Sequence, residues 1–308
     1  MSTTILFYTN NLLPPKLLES TLSSAINFCK DSDNEIVITS HFPITKKYET
    51  IDLADNKEDH MYTAKINLKT NEARLSHVYK HLVKSVSVET EGIKCQSYVT
   101  DKMPYTHKSI FKQISYSLSK ASYENVVFME HDCFYPLNYL EGLEKARNEC
   151  HCDFQYAYNN ACYMDYGGYF KADTRFMLSG CSGKRDYLKA IFDNKLQLIK
   201  DSKQYYFEPL LKECTDEMKE KYSGEILVDN YVCADRFLGE NHDVLDIKHK
   251  LNQAGQLHVL RNTAGWLKNC RHIDEHPYWG SPKKYLDMID FYMDKESEAE
   301  TMLGTRFF

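Results

Sequence analysis

The stretch that most constrains the fold is an apolar run from Asn125 to Met129 that ends in charged residues. It lacks the alternation of a half-exposed strand, which is typical of a strand buried on both faces of a parallel sheet. Glu130, His131 and Asp132 follow it directly. Because open α/β sheets bind ligands at the carboxyl ends of their strands, this pattern predicts a binding site here.

The opening of the chain predicts the same kind of sheet. Thr3–Thr9 reads as a buried strand, Lys16–Cys29 as a helix with one apolar side, and Glu35–Thr39 as a second strand. Thr106 can cap a further helix that leads to the apolar run. We therefore expect an α/β fold with a Rossmann-related, mostly parallel sheet flanked by helices.

The later chain is predicted to continue this arrangement. Phe154–Tyr158 reads as a strand, whereas Lys184–Leu198 and Asn230–Leu238 read as helices. We expect one continuous sheet and a single domain over residues 1–308. Residues 50–104 are interpreted as an insertion or mobile lid, and residues 256–308 as a C-terminal extension.

Composition narrows the class of protein. The 308 residues carry a net charge of −6, which argues against a protein that coats nucleic acid but still permits a local basic groove. No stretch reaches the ~20 apolar residues of a membrane span, and the N-terminus lacks a signal-peptide pattern. We expect a soluble cytoplasmic protein whose ten scattered cysteines are reduced thiols.

An acid-x-Asp pattern after a buried strand suits one chemistry in particular. A carboxylate on a rigid strand end can hold a divalent cation against a diphosphate and so stabilise its departure from a sugar. The same pattern also occurs in ordinary surface turns. Other motifs are absent: the chain has no glycine-rich phosphate loop, and His272 and His276 lack the glutamate of a zinc hydrolase.

Three stretches resemble, in order, a group of small GT-A glycosyltransferases of bacteria and bacteriophages. Glu130 to Pro136 is similar to the group's E-x-D-x-L-Y-P variant of the D-x-D motif, with Phe134 in place of leucine. The later matches are Tyr156 to Asn160 with Leu178-Ser179-Gly180 and Arg185, and Asp246 to Asn252, where Lys250 stands for the usual glycine.

The resemblance implies a GT-A-like fold and a role for each matching residue. Asp132 would be a direct metal ligand, Glu130 would face the nucleotide ribose or a metal-bound water, and His249 would be the second metal ligand. Imidazole suits Mn²⁺ better than Mg²⁺, so manganese is favoured. The remaining expected donor contacts are Thr9, Asn10, Lys248 and Lys250, and the expected acceptor region comprises Tyr158, Asn159, Asn160 and Arg185.

An inverting enzyme needs a base to take the proton of the acceptor hydroxyl. Asp229 is the first candidate because it precedes a predicted helix, although helix capping would explain it equally well. Asp165, beside Gly167-Gly168, is the second candidate and Glu208 the third. Retention and inversion both stay open.

The resulting hypothesis is a metal-dependent transferase that moves a sugar from a nucleoside diphosphate sugar to a hydroxyl. Because the group that the chain resembles includes bacteriophage enzymes, a hydroxymethylated base in DNA is favoured as acceptor. In that case the protein would act in the host cytoplasm. A cell-surface glycan is the alternative acceptor. A sugar-nucleotide nucleotidyltransferase is a second class, but the loop after the first strand has no glycine. A non-catalytic binding protein is a third, and the presence of Asp132 argues against it.

Overall fold

A computed structural model describes most of the chain. The described residues are 2–11, 13–53, 86–100, 107–149, 156–158, 161–165, 168–172, 179, 182–202, 231–233, 243–247, 270–286 and 288.

In these residues helices and strands alternate along the first half of the chain. The elements are β1 (Thr3–Tyr8), α1 (Pro15–Asn27), β2 (Glu35–Ser40), β3 (Glu49–Ile51), β4 (Lys94–Thr100), α2 (His107–Lys120), β5 (Asn125–Glu130), β6 (Cys133–Phe134), α3 (Tyr139–Glu149), β7 (Tyr156–Tyr158), β8 (Ala161–Asp165), β9 (Gly168–Ala172), β10 (Ser182–Lys184), α4 (Arg185–Ser202), β11 (Tyr231–Cys233), β12 (Val244–Ile247), β13 (Cys270–Ile273) and α5 (Lys283–Leu286).

The larger sheet is mostly parallel, which confirms the predicted fold class. Its order is β11-β7-β10-β5-β1-β2-β4-β3, and β10 is the strand that runs antiparallel to its neighbours β5 and β7. The apolar run forms β5, which lies between β1 and β10 and pairs with β1 from Thr3↔Asn125 to Tyr8↔Glu130. Glu130 thus ends a central strand, as the sequence predicts.

The helices cover both faces of this sheet because successive side chains of a strand point in opposite directions. Ile5 and Phe7 of β1 pack in one core cluster with α1, whereas Leu6 and Tyr8 pack in another with α2 and α4. Phe128 of β5 lies in the second cluster and is fully buried.

The expectation of one continuous sheet was wrong. The structure has a second sheet, whose strand order is β13-β9-β8-β12-β6. Its first strand in the chain, β6, comes shortly after Glu130. Within this sheet, β12 is antiparallel to β6 and parallel to β8. The chain changes sheets between β5 and β6, so that Asp132 lies in the turn that joins the two sheets.

Two local predictions are also corrected. The residues from Tyr231 to Cys233 form a strand paired with β7, not part of a helix, because pairing at a sheet edge overrides a weak helical pattern. Strand β4 was not expected within the irregular region 50–104, yet it pairs along its length with β2. Residues 54–85 and 101–104 of that region lie outside the described part.

The segment 276–286 closes over the second sheet. Trp279 and Tyr285 pack on Phe134 of β6, with ring centroids 6.4 and 5.4 Å away. The ring nitrogen Nδ1 of His276 accepts two backbone N–H groups, so Nε2 carries the hydrogen and donates to Asp243, 3.2 Å away. His276 therefore has a structural role, fastening this segment to the start of β12.

No helix within the described ranges is both long and apolar enough to cross a membrane.

Candidate functional site

The turn after β5 brings three potential metal ligands together. The carboxylate oxygens of Glu130 and Asp132 and the thiol of Cys133 lie within 4.8 Å of one another. Asp132 and Cys133 are buried, and Glu130 is partly exposed at the strand end. Cys133 also donates its S–H to Asp132 Oδ1 at 3.6 Å. Two carboxylates at this spacing suit a hard divalent cation, and the thiol adds a softer ligand.

Strand β12 runs beside the same turn. Asp246 pairs with Cys133, and the N–H of Ile247 donates to the backbone oxygen of Asp132 at 2.9 Å. His249, the other expected metal ligand, lies outside the described residues.

Glu130 is held by two buried tyrosines at two different atoms. The Tyr8 hydroxyl donates to the Oε1 atom of Glu130 at 2.8 Å. The Tyr135 hydroxyl accepts the backbone N–H of Glu130 at 2.9 Å and donates to the backbone oxygen of Ser179 at 2.7 Å. Both the backbone and the carboxylate of Glu130 therefore have fixed partners.

The electrostatics keep both phenols protonated. Burial, and then the Glu130 carboxylate, raise the pKa of Tyr8 well above its usual value. Burial is also the main cause that raises the pKa of Tyr135, followed by the neighbouring Cys133 thiol. Tyr8 is consequently a hydrogen-bond donor to Glu130 throughout the neutral range.

The loop after β1 is tied to the same turn. The Thr9 hydroxyl lies 2.6 Å from His131 Nδ1 and accepts the N–H of Asn11 at 2.9 Å. The Thr21 hydroxyl of α1 donates to the backbone oxygen of His131 at 2.6 Å. Thr9 and His131 are both buried and support the end of β5. Asn10 is partly exposed and is therefore more accessible than Thr9.

Two other predicted site residues have backbones at this edge. Asp165 follows Met164, which pairs with Ile247, so Asp165 lies about two strand spacings, or about 10 Å, from Asp132. Tyr158 ends β7, which runs in the same direction as β5 two strand spacings away. Asn159 and Asn160 lie outside the described residues.

Another predicted site residue, Arg185, lies at the opposite edge of the sheet. Arg185 donates its backbone N–H to the oxygen of Glu124 and its guanidinium to Ala121 and Asp186. It therefore lies beside the amino end of β5, and the structure does not bring it to Glu130.

Asp229, Glu208, Lys248 and Lys250 lie outside the described residues.

The sequence analysis did not assign roles to Tyr8, Thr21 or Cys133. Tyr8 could have been found from its register, because a strand parallel to β5 must place some residue beside Glu130. Cys133 stands within the motif itself. Thr21 carries no such signal, because it is one of several polar residues on α1 and its partner is 110 positions away in sequence.

Comparisons with known proteins give distant structural similarities. No protein-family model and no curated protein sequence matches the chain. Among solved structures, the chain is similar to S. aureus TarS 1-349 in complex with UDP-GlcNAc, with 13% identity over 81% of this chain and a TM-score of 0.38. The chain spans 59% of the length of that structure.

A second similar structure is a protein of Desulfovibrio desulfuricans G20 assigned as a nucleotide-diphospho-sugar transferase. It has 14% identity, covers 95% of this chain and 99% of its own, and has a TM-score of 0.37. TarS 1-349 in complex with UDP is similar at 12% identity, over 87% of this chain and 68% of that one, with a TM-score of 0.38. At such distances the functional assignment depends on the chain's own residues.

Proposed function

We propose that this protein is a metal-dependent GT-A-type glycosyltransferase that uses a nucleoside diphosphate sugar. The observation that carries the proposal is the cluster of Glu130, Asp132 and Cys133 at the carboxyl end of the central strand β5. This is where open α/β sheets bind ligands, and the cluster has the ligand types that hold a divalent cation beside a diphosphate.

Asp132 and His249 are the proposed protein ligands of the cation, with Mn²⁺ favoured. The N–H of Ile247 donates to the backbone oxygen of Asp132, and this contact between β12 and the turn supports the pairing. When bound, the cation would neutralise charge on the departing diphosphate. Lys248 and Lys250 flank His249 and are proposed to add positive charge at the same diphosphate.

The nucleoside is proposed to bind between the ends of β1 and β5. Glu130 presents a carboxylate there that can accept hydrogen bonds from ribose hydroxyls or a metal-bound water. Asn10 is proposed to contact the donor directly. Thr9 is proposed to act indirectly, because its hydroxyl is already bonded to His131 and Asn11.

Asp165 is the proposed base if the reaction is inverting. A base must reach the acceptor hydroxyl, and the backbone of Asp165 lies about 10 Å from that of Asp132, which leaves room for a sugar between them. Asp229, the first candidate from sequence, and Glu208 remain proposed as alternative bases.

The proposed acceptor is the hydroxyl of a hydroxymethylated DNA base, and a cell-surface glycan is the alternative. A DNA acceptor requires a basic groove to displace condensed counterions, and Lys248 and Lys250 would supply part of it. The acidic net charge of −6 restricts such a groove to a local patch.

A donor screen tests the proposed function. The purified protein should release free nucleoside diphosphate from one member of a panel of sugar nucleotides in the presence of Mn²⁺, and EDTA should abolish the release. Adding oligonucleotides that contain hydroxymethylated bases, or glycans, should accelerate turnover with the true acceptor. Undiminished turnover in EDTA would refute the metal site, and no release from any donor would refute the transferase.

A matched pair of variants separates the two candidate bases. Asp165→Asn should lower turnover by about 10²- to 10⁴-fold while donor binding persists, because a general base acts on the acceptor proton. Asp229→Asn should stay within a few-fold of the parent. Initial rates and nucleoside diphosphate binding would be measured for both, and the reverse pattern would identify Asp229 as the base.

A further inference from the structure

Strand β5 fixes the backbone of Glu130, but it does not fix the direction of the Glu130 side chain. A glutamate side chain has three rotatable bonds, and this one is partly exposed. Tyr135 fixes the backbone N–H of Glu130 but does not account for the direction of its carboxylate. The Tyr8 hydroxyl donates to Oε1 at 2.8 Å and so restricts this direction.

The position of Tyr8 is in turn set by the sheet. Tyr8 and Glu130 are direct partners in the parallel register of β1 and β5. The Tyr8 ring meets the ring of Phe128 edge to face, with centroids 6.5 Å apart, and its side chain is buried. A phenol held in this way can restrict a neighbouring carboxylate before any ligand arrives, which reduces the entropy lost on binding.

We propose that Tyr8 is a positioning residue of the donor site that acts through Glu130 to bind the nucleoside part of a nucleoside diphosphate. The inference rests on the proposed function, because it assigns Tyr8 to the same site. Tyr8 contacts no ligand itself in this account. Its hydroxyl orients the carboxylate, and the carboxylate accepts from the nucleotide.

Tyr8→Phe is the direct test, since it removes the hydroxyl but leaves the ring that packs on Phe128. The probe is the best-binding member of UDP, GDP, ADP and CDP, titrated calorimetrically with Mn²⁺. We expect binding to weaken on the order of tenfold, the effect of losing one hydrogen bond to a charged group. In turnover, KM should rise while kcat changes little, because the contact is made equally in the ground and transition states.

Tyr98→Phe is the matched control. Tyr98 is also buried in the larger sheet, and its hydroxyl donates to Gln96 over the same 2.8 Å, but it lies on β4 away from Glu130. This variant should bind the probe like the parent. A melting temperature measured for both variants separates a general loss of stability from a specific loss of affinity.

A double-mutant cycle decides whether Tyr8 acts through Glu130. In the Glu130→Ala background, Tyr8→Phe should have no further effect on probe binding, because no carboxylate remains to be oriented. Additive losses would overturn the inference, as would unchanged binding by Tyr8→Phe itself, and in both cases the proposed function would stand. Failure of the parent protein to bind any of the four nucleotides would overturn both.

Discussion

Asp132→Asn should abolish divalent-cation binding and lower turnover by about 10³-fold, the largest functional effect expected of a single change in this chain. Asparagine keeps the size of the side chain and much of its hydrogen bonding but removes the charge that holds the cation. The backbone oxygen of Asp132, which accepts from Ile247, is unaffected by the substitution. Mn²⁺ titration and initial rates would measure the two losses, which should occur together.

Asp186→Asn provides the same chemical change away from the site. Asp186 is exposed on α4 and pairs with Arg185 at the opposite edge of the sheet. Cation affinity and turnover should equal those of the parent. If Asp132→Asn retained parental cation affinity and rate, the metal would have to lie elsewhere and the central proposal would fail.

Phe128→Ala should lower the free energy of unfolding by about 3 to 5 kcal/mol, the range for removing a buried aromatic ring. Phe128 is fully buried in the central strand and meets Tyr8 and Phe192, with ring centroids 6.5 and 5.5 Å away. Chemical denaturation followed by circular dichroism would measure the change. Because Phe128 supports the Tyr8 ring, the folded fraction should also lose some donor affinity.

Phe128→Leu tests whether the loss comes from the cavity. Leucine restores most of the apolar volume, so the cost should fall to about 1.5 kcal/mol or less. Leu137→Ala is the exposed counterpart, since Leu137 is 82% exposed, and it should change stability by about 0.5 kcal/mol or less. A cost below about 1 kcal/mol for Phe128→Ala would contradict the assignment of β5 to the centre of the core.

The central sheet could be predicted from sequence because its signals are local and agree with one another. The apolar run at β5, the amphipathic α1 and the short strand β2 each have a clear pattern, and their order dictates a parallel sheet. The position of Glu130 then follows from the place where the apolar run stops. The position of the end of β1 beside Glu130 follows from the parallel pairing of β1 with β5.

The second sheet could not be predicted in the same way. Its strands are short, and β6 has only two residues, so no period is visible along them. What holds β6 to β12 is a set of long-range contacts, including the packing of Trp279 and Tyr285 on Phe134. The strand from Tyr231 to Cys233 was mistaken for part of a helix for the same reason.

The residues that support the site were not assigned from sequence patterns either. Tyr8 and Thr21 meet the turn after β5 from positions more than 100 residues away, and neither belongs to a recognisable motif. Such contacts become visible only once the strand register is known. The residues of the motif could therefore be predicted directly, whereas Tyr8 requires the register of β1 on β5 and Thr21 requires the packed structure.

The most direct test of the central claim is anomalous diffraction at the manganese edge from crystals grown with Mn²⁺ and UDP. The account predicts an anomalous peak within coordination distance of a carboxylate oxygen of Asp132, with His249 as a second protein ligand and the diphosphate of UDP bound to the same ion. A crystal in which UDP is bound and no metal contacts Asp132 would contradict it.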